Sequence, residues 1–264
     1  MRPEVLARLA ALNHAFYAAH GEAFADTRPR LAAGVRRVLE RIPAGAAVLE
    51  AGCGDGKVGR WLARNVENVN YVGLDASAAM LARAREFSAP WTVSQEPGSP
   101  TSQSAAGHSL HFRHADLLAP DLDPALGAGR YDWILAFAVF HHLPGAEARA
   151  RVLRSLADRL TPGGWLAFSN WQFGRSPRLR GRVRDWSALE LGSADVETGD
   201  YLLAWERRGQ SGLRYVHLLD EAEARGLAAD AGLVVREVFR ADGVTDDLAD
   251  YLVAQKPTGG GSLP

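Results

Sequence analysis

The stretch VLEAGCGDGKVG, from Val48 to Gly59, constrains the fold more than any other part of the chain. An apolar run ends in Glu50, and glycines follow at 52, 54 and 56 before helix-forming residues resume. A strand that stops in a glycine-rich turn and opens a helix presents bare backbone N–H groups to a ligand. Glycine suits such a turn because it visits positive φ and because a Cβ would hold the ligand away from the backbone.

Around this loop the chain alternates. Strands are expected at Ala46–Ala51, at Asn70–Leu74 ending in Asp75, at Leu110–Ala115 before Asp116, at Tyr131–Val139 and at Trp165–Ser169. Helices are expected at Lys57–Arg64, at Ser77–Phe87 and at Ala146–Leu160, the last stopped by Pro162-Gly163-Gly164. This rhythm predicts an α/β fold with a doubly wound, mostly parallel sheet. Two helices precede it, the first stopped at Gly21 and the second running from about Pro29 to Ile42. Residues Asn170–Gly212 break the rhythm, and Trp171, Trp186, Tyr201 and Trp205 within them predict an ordered insertion. A helix at Asp220–Ala231 and strands at Leu233–Phe239 and Leu248–Ala254 follow; the short link between the strands predicts an antiparallel hairpin. Ser88–Ser109, rich in Ser, Pro, Gly and Gln, reads as a surface loop without chemistry, and the tail from Pro257 as a frayed end. No internal repeat is visible, so residues 1–256 are expected to form one domain.

Composition excludes several classes. Cys53 is the only cysteine, which rules out an intramolecular disulfide or a cysteine-based metal cluster within the chain. Arg2, Glu4, Arg8 and His14 interrupt the first twenty residues, which therefore read as neither a signal peptide nor a membrane span, and a cytoplasmic enzyme is expected. The formal net charge of −1 provides no global attraction to nucleic acid or an anionic membrane. A local patch does exist: nine arginines and one acidic residue, Asp158, lie between Arg149 and Arg184. Its second half, RSPRLRGRVR, is a candidate for phosphate contact, with Trp171 or Trp186 able to stack an unpaired base.

In an open parallel sheet, ligands collect at the carboxyl ends of the strands. Glu50, Asp75, Asp116 and the pair His141-His142 all fall at such ends. Asp75 follows the glycines by about twenty residues, the spacing of a ribose-binding acid. Gly54, Gly56 and Gly59 match a dinucleotide pattern, but a dinucleotide has no particular need for Glu50 or Asp116. An adenosine with a cationic, amino-acid-like tail does. Glu50 can counter its positive charge and Asp116 can accept from the adenine amino group, so S-adenosylmethionine fits the set better.

With E-x-G-x-G-x-G, the aspartate of YVGLD, HADLL, and FHHLP followed by LTPGG, the chain resembles the class I S-adenosylmethionine-dependent methyltransferases. The resemblance covers about Ala46 to Ser169 and the terminal hairpin. It implies a Rossmann-like, seven-stranded sheet with a reversed last strand. It places Gly52, Gly54 and Gly56 along the methionine part, Asp75 on the ribose, and Asp116 with Leu117 near the adenine. Ala76 and Ala136, towards the ends of the second and fourth strands, complete the expected cofactor set. A narrower resemblance, carried by FADTR, AVFHHL, GDYLLAW and RYVHLL, is to the tRNA wobble-uridine methyltransferases, whose acceptor is a 5-carboxymethyl group. Ala32-Ala33 and Val216 stand where that family has a Trp-Pro pair and a second tyrosine. The resemblance implies tRNA as partner and, as in eukaryotic members, a small zinc-binding activator subunit.

A carboxylate acceptor is already ionised near neutrality, since its pKa lies near 4, and needs no general base. It needs a cationic or hydrogen-bonding clamp, for which Arg28, Arg214 and His217 are the expected residues. His141 is expected to face the site, with His142 in the packing behind it. Thr27, Trp171, Asp200, Trp205 and Tyr215 are the expected acceptor-side contacts. A small-molecule methyltransferase with the insertion as a lid, in which His141 could serve as base, and a non-catalytic cofactor-binding partner are the competing readings.

Overall fold

The computed structural model describes residues 1–26, 30–91, 107–207 and 209–258. Helices α1 (Pro3–Ala25) and α2 (Ala33–Leu39) lead into β1 (Ala47–Ala51), α3 (Lys57–Asn65), β2 (Asn70–Asp75), α4 (Ala78–Phe87) and β3 (Ser109–His114). Then come α5 (Asp123–Leu126), β4 (Tyr131–Phe137), α6 (Ala146–Asp158) and β5 (Leu160–Trp171). An insertion follows, with α7 (Pro177–Arg180), β6 (Val183–Arg184), β7 (Asp200–Arg207) and β8 (Gln210–His217). The chain closes with α8 (Glu221–Asp230), β9 (Val234–Ala241) and β10 (Ala249–Gln255).

Seven strands form one sheet in the order β3-β2-β1-β4-β5-β10-β9. The first five are parallel, and β10 runs antiparallel to both neighbours. The apolar runs in the central strands are long because both faces are covered. Successive residues go to opposite sides: Val48 packs with Val35, Val38 and Leu62, whereas Leu49 packs with Ile134, Leu153 and Leu166. Each such side chain contributes on the order of 1.5–3 kcal/mol by leaving water. Strand order reverses between β1 and β4, so the crevice at their carboxyl ends is the place for a ligand.

Three expectations about boundaries need correction. Helix α1 does not stop at Gly21 but runs on to Ala25, with Gly21 packed on Met80 of α4. Helix α2 begins at Ala33, not near Pro29. Strand β5 starts at Leu160, because the Pro-Gly-Gly turn is drawn into the sheet by paired bonds between Gly163 or Gly164 and Lys256. Most of the expected surface loop, residues 92–106, lies outside the described residues.

The insertion is an antiparallel sheet, β6-β7-β8, with its own small core of Phe173, Leu179, Leu203 and Val216. It stands over the carboxyl ends of the large sheet, against α1. Arg83 of α4 fastens the far end of α1 through Asp26 at 2.9 Å and Glu22 at 3.8 Å. Among the described residues, no helix is long and apolar enough to cross a membrane.

Candidate active site

The loop after β1 is pinned from below: the Gly52 and Cys53 N–H groups both donate to the Leu74 carbonyl of β2. Packing demands glycine at 52 and 56, where a Cβ would come within 2.5 Å of Val139 and 2.9 Å of Phe112. Gly54 differs. With φ of +54°, its Cβ would meet only the Met80 methyl, at 3.7 Å, so the space beside it is open for a ligand.

Asp75 closes the lower side of this space. Its Oδ2 accepts the Gly54 N–H and its Oδ1 the Ser77 N–H, both at 2.8 Å. The acid thus holds Ser77, the residue that caps α4, and ties the loop, and each oxygen keeps a lone pair for a ribose hydroxyl. Burial raises its pKa, against the opposing pull of those two N–H groups. Glu50 lies deeper and accepts the Tyr71 hydroxyl. Burial pushes its carboxyl up to about 8; the Tyr71 bond opposes this, while Asp75 and Asp55 reinforce it. A ligand cation would restore its charge. Ala76 is exposed, with its carbonyl accepting from His114. Asp116 accepts the Leu118 N–H at 2.9 Å and lies 3.6 Å from His14 of α1, while Leu117 is buried in the core beside it. Ala136 lies within β4, one residue before its end at Phe137, and its side chain is buried in the sheet interior.

The turn after β4 carries both histidines, in the opposite roles from those expected. His141 is the buried one, its Nδ1 accepting the Trp171 N–H at 3.3 Å. His142 is the more exposed, with Nε2 2.7 Å from the Tyr17 hydroxyl of α1. Arg214 of β8 lies between two rings, its guanidinium carbon 4.9 Å from the Trp171 centroid and 5.6 Å from that of Phe16. Its Nη1 donates to the Tyr17 hydroxyl at 3.4 Å. Tyr17 also lines a cleft of about 310 Å³ bounded by Glu22, Ser77, Met80 and Gln210.

Four other expected contacts are turned away from any ligand. His217 spends both ring nitrogens, on Asp200 at 2.7 Å and Glu223 at 2.8 Å. Burial alone would lower its pKa, but these two carboxylates outweigh burial and hold it above its ordinary value. Asp200 also accepts the Tyr215 hydroxyl at 2.6 Å, and both residues are buried. Arg149 completes the cluster, bridging Glu197 and Glu223 at about 3 Å. Glu197, Asp200 and His217 approach one another closely enough for a metal, but the Arg149 guanidinium already supplies the positive charge there. Trp205 is buried edge-on to Phe16 and against His20, packing β7 on α1. Thr27 and Arg28 lie outside the described residues.

Sequence reasoning missed Tyr17 and Asn13. Asn13 is buried, and its amide reaches three backbone groups: it donates to the His142 and Tyr215 carbonyls and accepts the Tyr215 N–H. The signal was available. Asn13 occupies the next place in the helical stripe after Val5 and Leu9, where an apolar residue belongs.

A family model for a methyltransferase domain matches residues 23–238. The chain belongs to the methyltransferase-domain family. It is a class I, S-adenosylmethionine-dependent methyltransferase domain, and the open space at Gly54 between Asp75 and Glu50 fits that donor. A solved S-adenosylmethionine-dependent methyltransferase of Methanosarcina mazei shares its fold, with TM-score 0.61 at 18% identity, covering 84% of this chain and 97% of the other. The trans-aconitate 2-methyltransferase of Streptomyces avermitilis is 33% identical over 145 residues, 54% of this chain and 46% of that protein. The tRNA (carboxymethyluridine(34)-5-O)-methyltransferase of Mus musculus is 27% identical over 199 residues, 72% of this chain. The chain spans 46% and 25% of the lengths of these two relatives.

Proposed function

We propose that the protein O-methylates a carboxylate, that of a 5-carboxymethyl wobble uridine in tRNA. The observation that carries this reading is Arg214, a guanidinium held between Trp171 and Phe16 beside the Tyr17 hydroxyl, above the ends of β4 and β5. A guanidinium fork matches a carboxylate in shape and charge. The two relatives have acceptors of this same chemistry: aconitate and carboxymethyluridine are both carboxylic acids.

When bound, S-adenosylmethionine supplies an electrophilic methyl group on sulfur. Asp75 and the Gly54 loop would hold its ribose and tail, Glu50 would face its ammonium, and Asp116 would take the adenine amino group. The acceptor carboxylate would receive that methyl group as a methyl ester, with S-adenosylhomocysteine as the other product. No proton moves, so the protein's task is alignment. A small carboxylic acid is the second reading, favoured because Arg175, one of the five arginines of the 175–184 strip, is already paired with Asp250 at 2.6 Å. Nucleoside mass spectrometry of tRNA from cells with and without the protein tests the first reading; an unchanged wobble ester, with trans-aconitate methylated in vitro, would establish the second.

A further inference from the structure

Among the described residues, the non-glycine positions with positive φ are Asn68, Ala138, Glu190, Asp242 and Asp246. Asparagine and aspartate tolerate that region, whereas an alanine there crowds its Cβ against the following carbonyl, and glycine is the least costly choice. Glu190 sits in an exposed part of the insertion. Ala138, with φ of +57°, is the first residue past β4, at the rim of the crevice where strand order reverses. It is exposed, so core packing gives no reason for its methyl group.

A backbone outlier of this kind persists only where its surroundings hold it. The Ala138 N–H donates to both the carbonyl and the hydroxyl oxygen of Ser169, at 3.1 Å each. Ser169 faces Tyr251 in the β5–β10 register, and its hydroxyl reaches the Tyr251 oxygen. Tyr251 donates to Asp242 Oδ2 at 2.5 Å, and Asp242 Oδ1 accepts the Gly34 N–H of α2 at 3.0 Å. Ser169 and Tyr251 are buried, so water does not compete for these bonds. On the other side of the turn, Val139 lies so close to the glycine loop that Gly52 has no room for a Cβ.

We propose that Ala138 is a positioning residue for the methyl donor: its left-handed turn sets Val139 against the glycine loop, and Ser169, Tyr251 and Asp242 hold that turn from behind. A turn restricted in this way keeps the loop in the form that receives S-adenosylmethionine, so less freedom is lost on binding. The inference concerns the donor alone and holds whatever the acceptor.

Calorimetric titration of the full chain with S-adenosylhomocysteine, together with thermal melting, tests it. Ala138→Gly relieves the backbone and frees the turn. Its melting temperature is expected to hold or rise while affinity falls about fivefold or more. A residue with a purely structural role would not move the two in opposite directions. Tyr251→Phe keeps the ring stacked on Phe239, at 4.9 Å between centroids, and removes only the hydroxyl. Affinity is expected to fall about threefold, the scale of one buried hydrogen bond. Both replacements act on one turn, so Tyr251→Phe introduced into Ala138→Gly should lower affinity by less than a further twofold. Affinity within twofold of wild type in Ala138→Gly, or a fall that only follows a lowered melting temperature, would overturn the inference. Full additivity of the two replacements would overturn the part that assigns Tyr251 to the turn.

Discussion

Glu50 is an acid kept protonated by its own fold. In the unfolded chain it ionises near 4.5, and in the folded one near 8. The folded state therefore holds the extra proton between those values, and stability contributed by the protonated form is lost as pH rises through that window. Glu50→Gln is expected to flatten the fall in melting temperature between pH 5 and 8. A donor ammonium beside Glu50 favours the ionised form, so affinity for S-adenosylhomocysteine should increase from pH 6 to 8 in the wild type and stay flat in the variant. Asp75→Ala removes the acceptor that ties Gly54 to Ser77, and calorimetry should detect no donor binding. Retained binding would show that the ribose lies elsewhere. Glu50 and Asp75 could be singled out from sequence because each stands near the carboxyl end of a strand at a fixed distance from the glycines. The environment that shifts Glu50 could not, since Tyr71 reaches it from the neighbouring strand.

At the level of elements, the insertion is held to the core by charge as much as by apolar contact. Arg149 of α6, Glu223 of α8 and His217 of β8 meet in one part-buried cluster with Glu197 and Asp200. His217→Gln takes the charged partner from buried Asp200, which keeps the Tyr215 hydroxyl, while Arg149 still pairs with Glu197 and Glu223; it should cost about 2 kcal/mol, read as a lower denaturant midpoint. Donor affinity should not change, because no member of the cluster borders the glycine loop. The strands of the large sheet were legible from their alternation with helices, and β4 from its nearly continuous apolar run. The β7–β8 hairpin was overlooked although a signal was present: two runs rich in aromatic and aliphatic residues, DYLLAWER and QSGLRYVH, flank a turn with Gly209 at φ +79°. The ionic cluster had no local signal at all, since its partners lie 48 and 74 residues from Arg149. That distance is why Asp200, Tyr215 and His217 read as acceptor contacts when the fold uses them as supports.

Across the whole molecule, the near-zero net charge makes the distribution of arginine decisive. Arg178, Arg180 and Arg184 are exposed along the insertion, and Arg180 and Arg184 donate to backbone carbonyls of their own segment. If tRNA is the acceptor, replacing the three with alanine should weaken tRNA binding and reduce its salt dependence by about three counterions. The same variant should methylate trans-aconitate at the wild-type rate, and equal losses for both acceptors would point to a folding defect instead. The small sheet has one more consequence. At Tyr215 both backbone groups of the outermost strand are already taken by the Asn13 side chain, so no foreign strand can add there without lifting α1 away. The opposite border is β6, two residues long, preceded by Arg182 and ending in Arg184, which makes a poor template for growth. An antiparallel sheet that could have recruited neighbours is thus closed on both margins, and the surface it leaves exposed is its charged one.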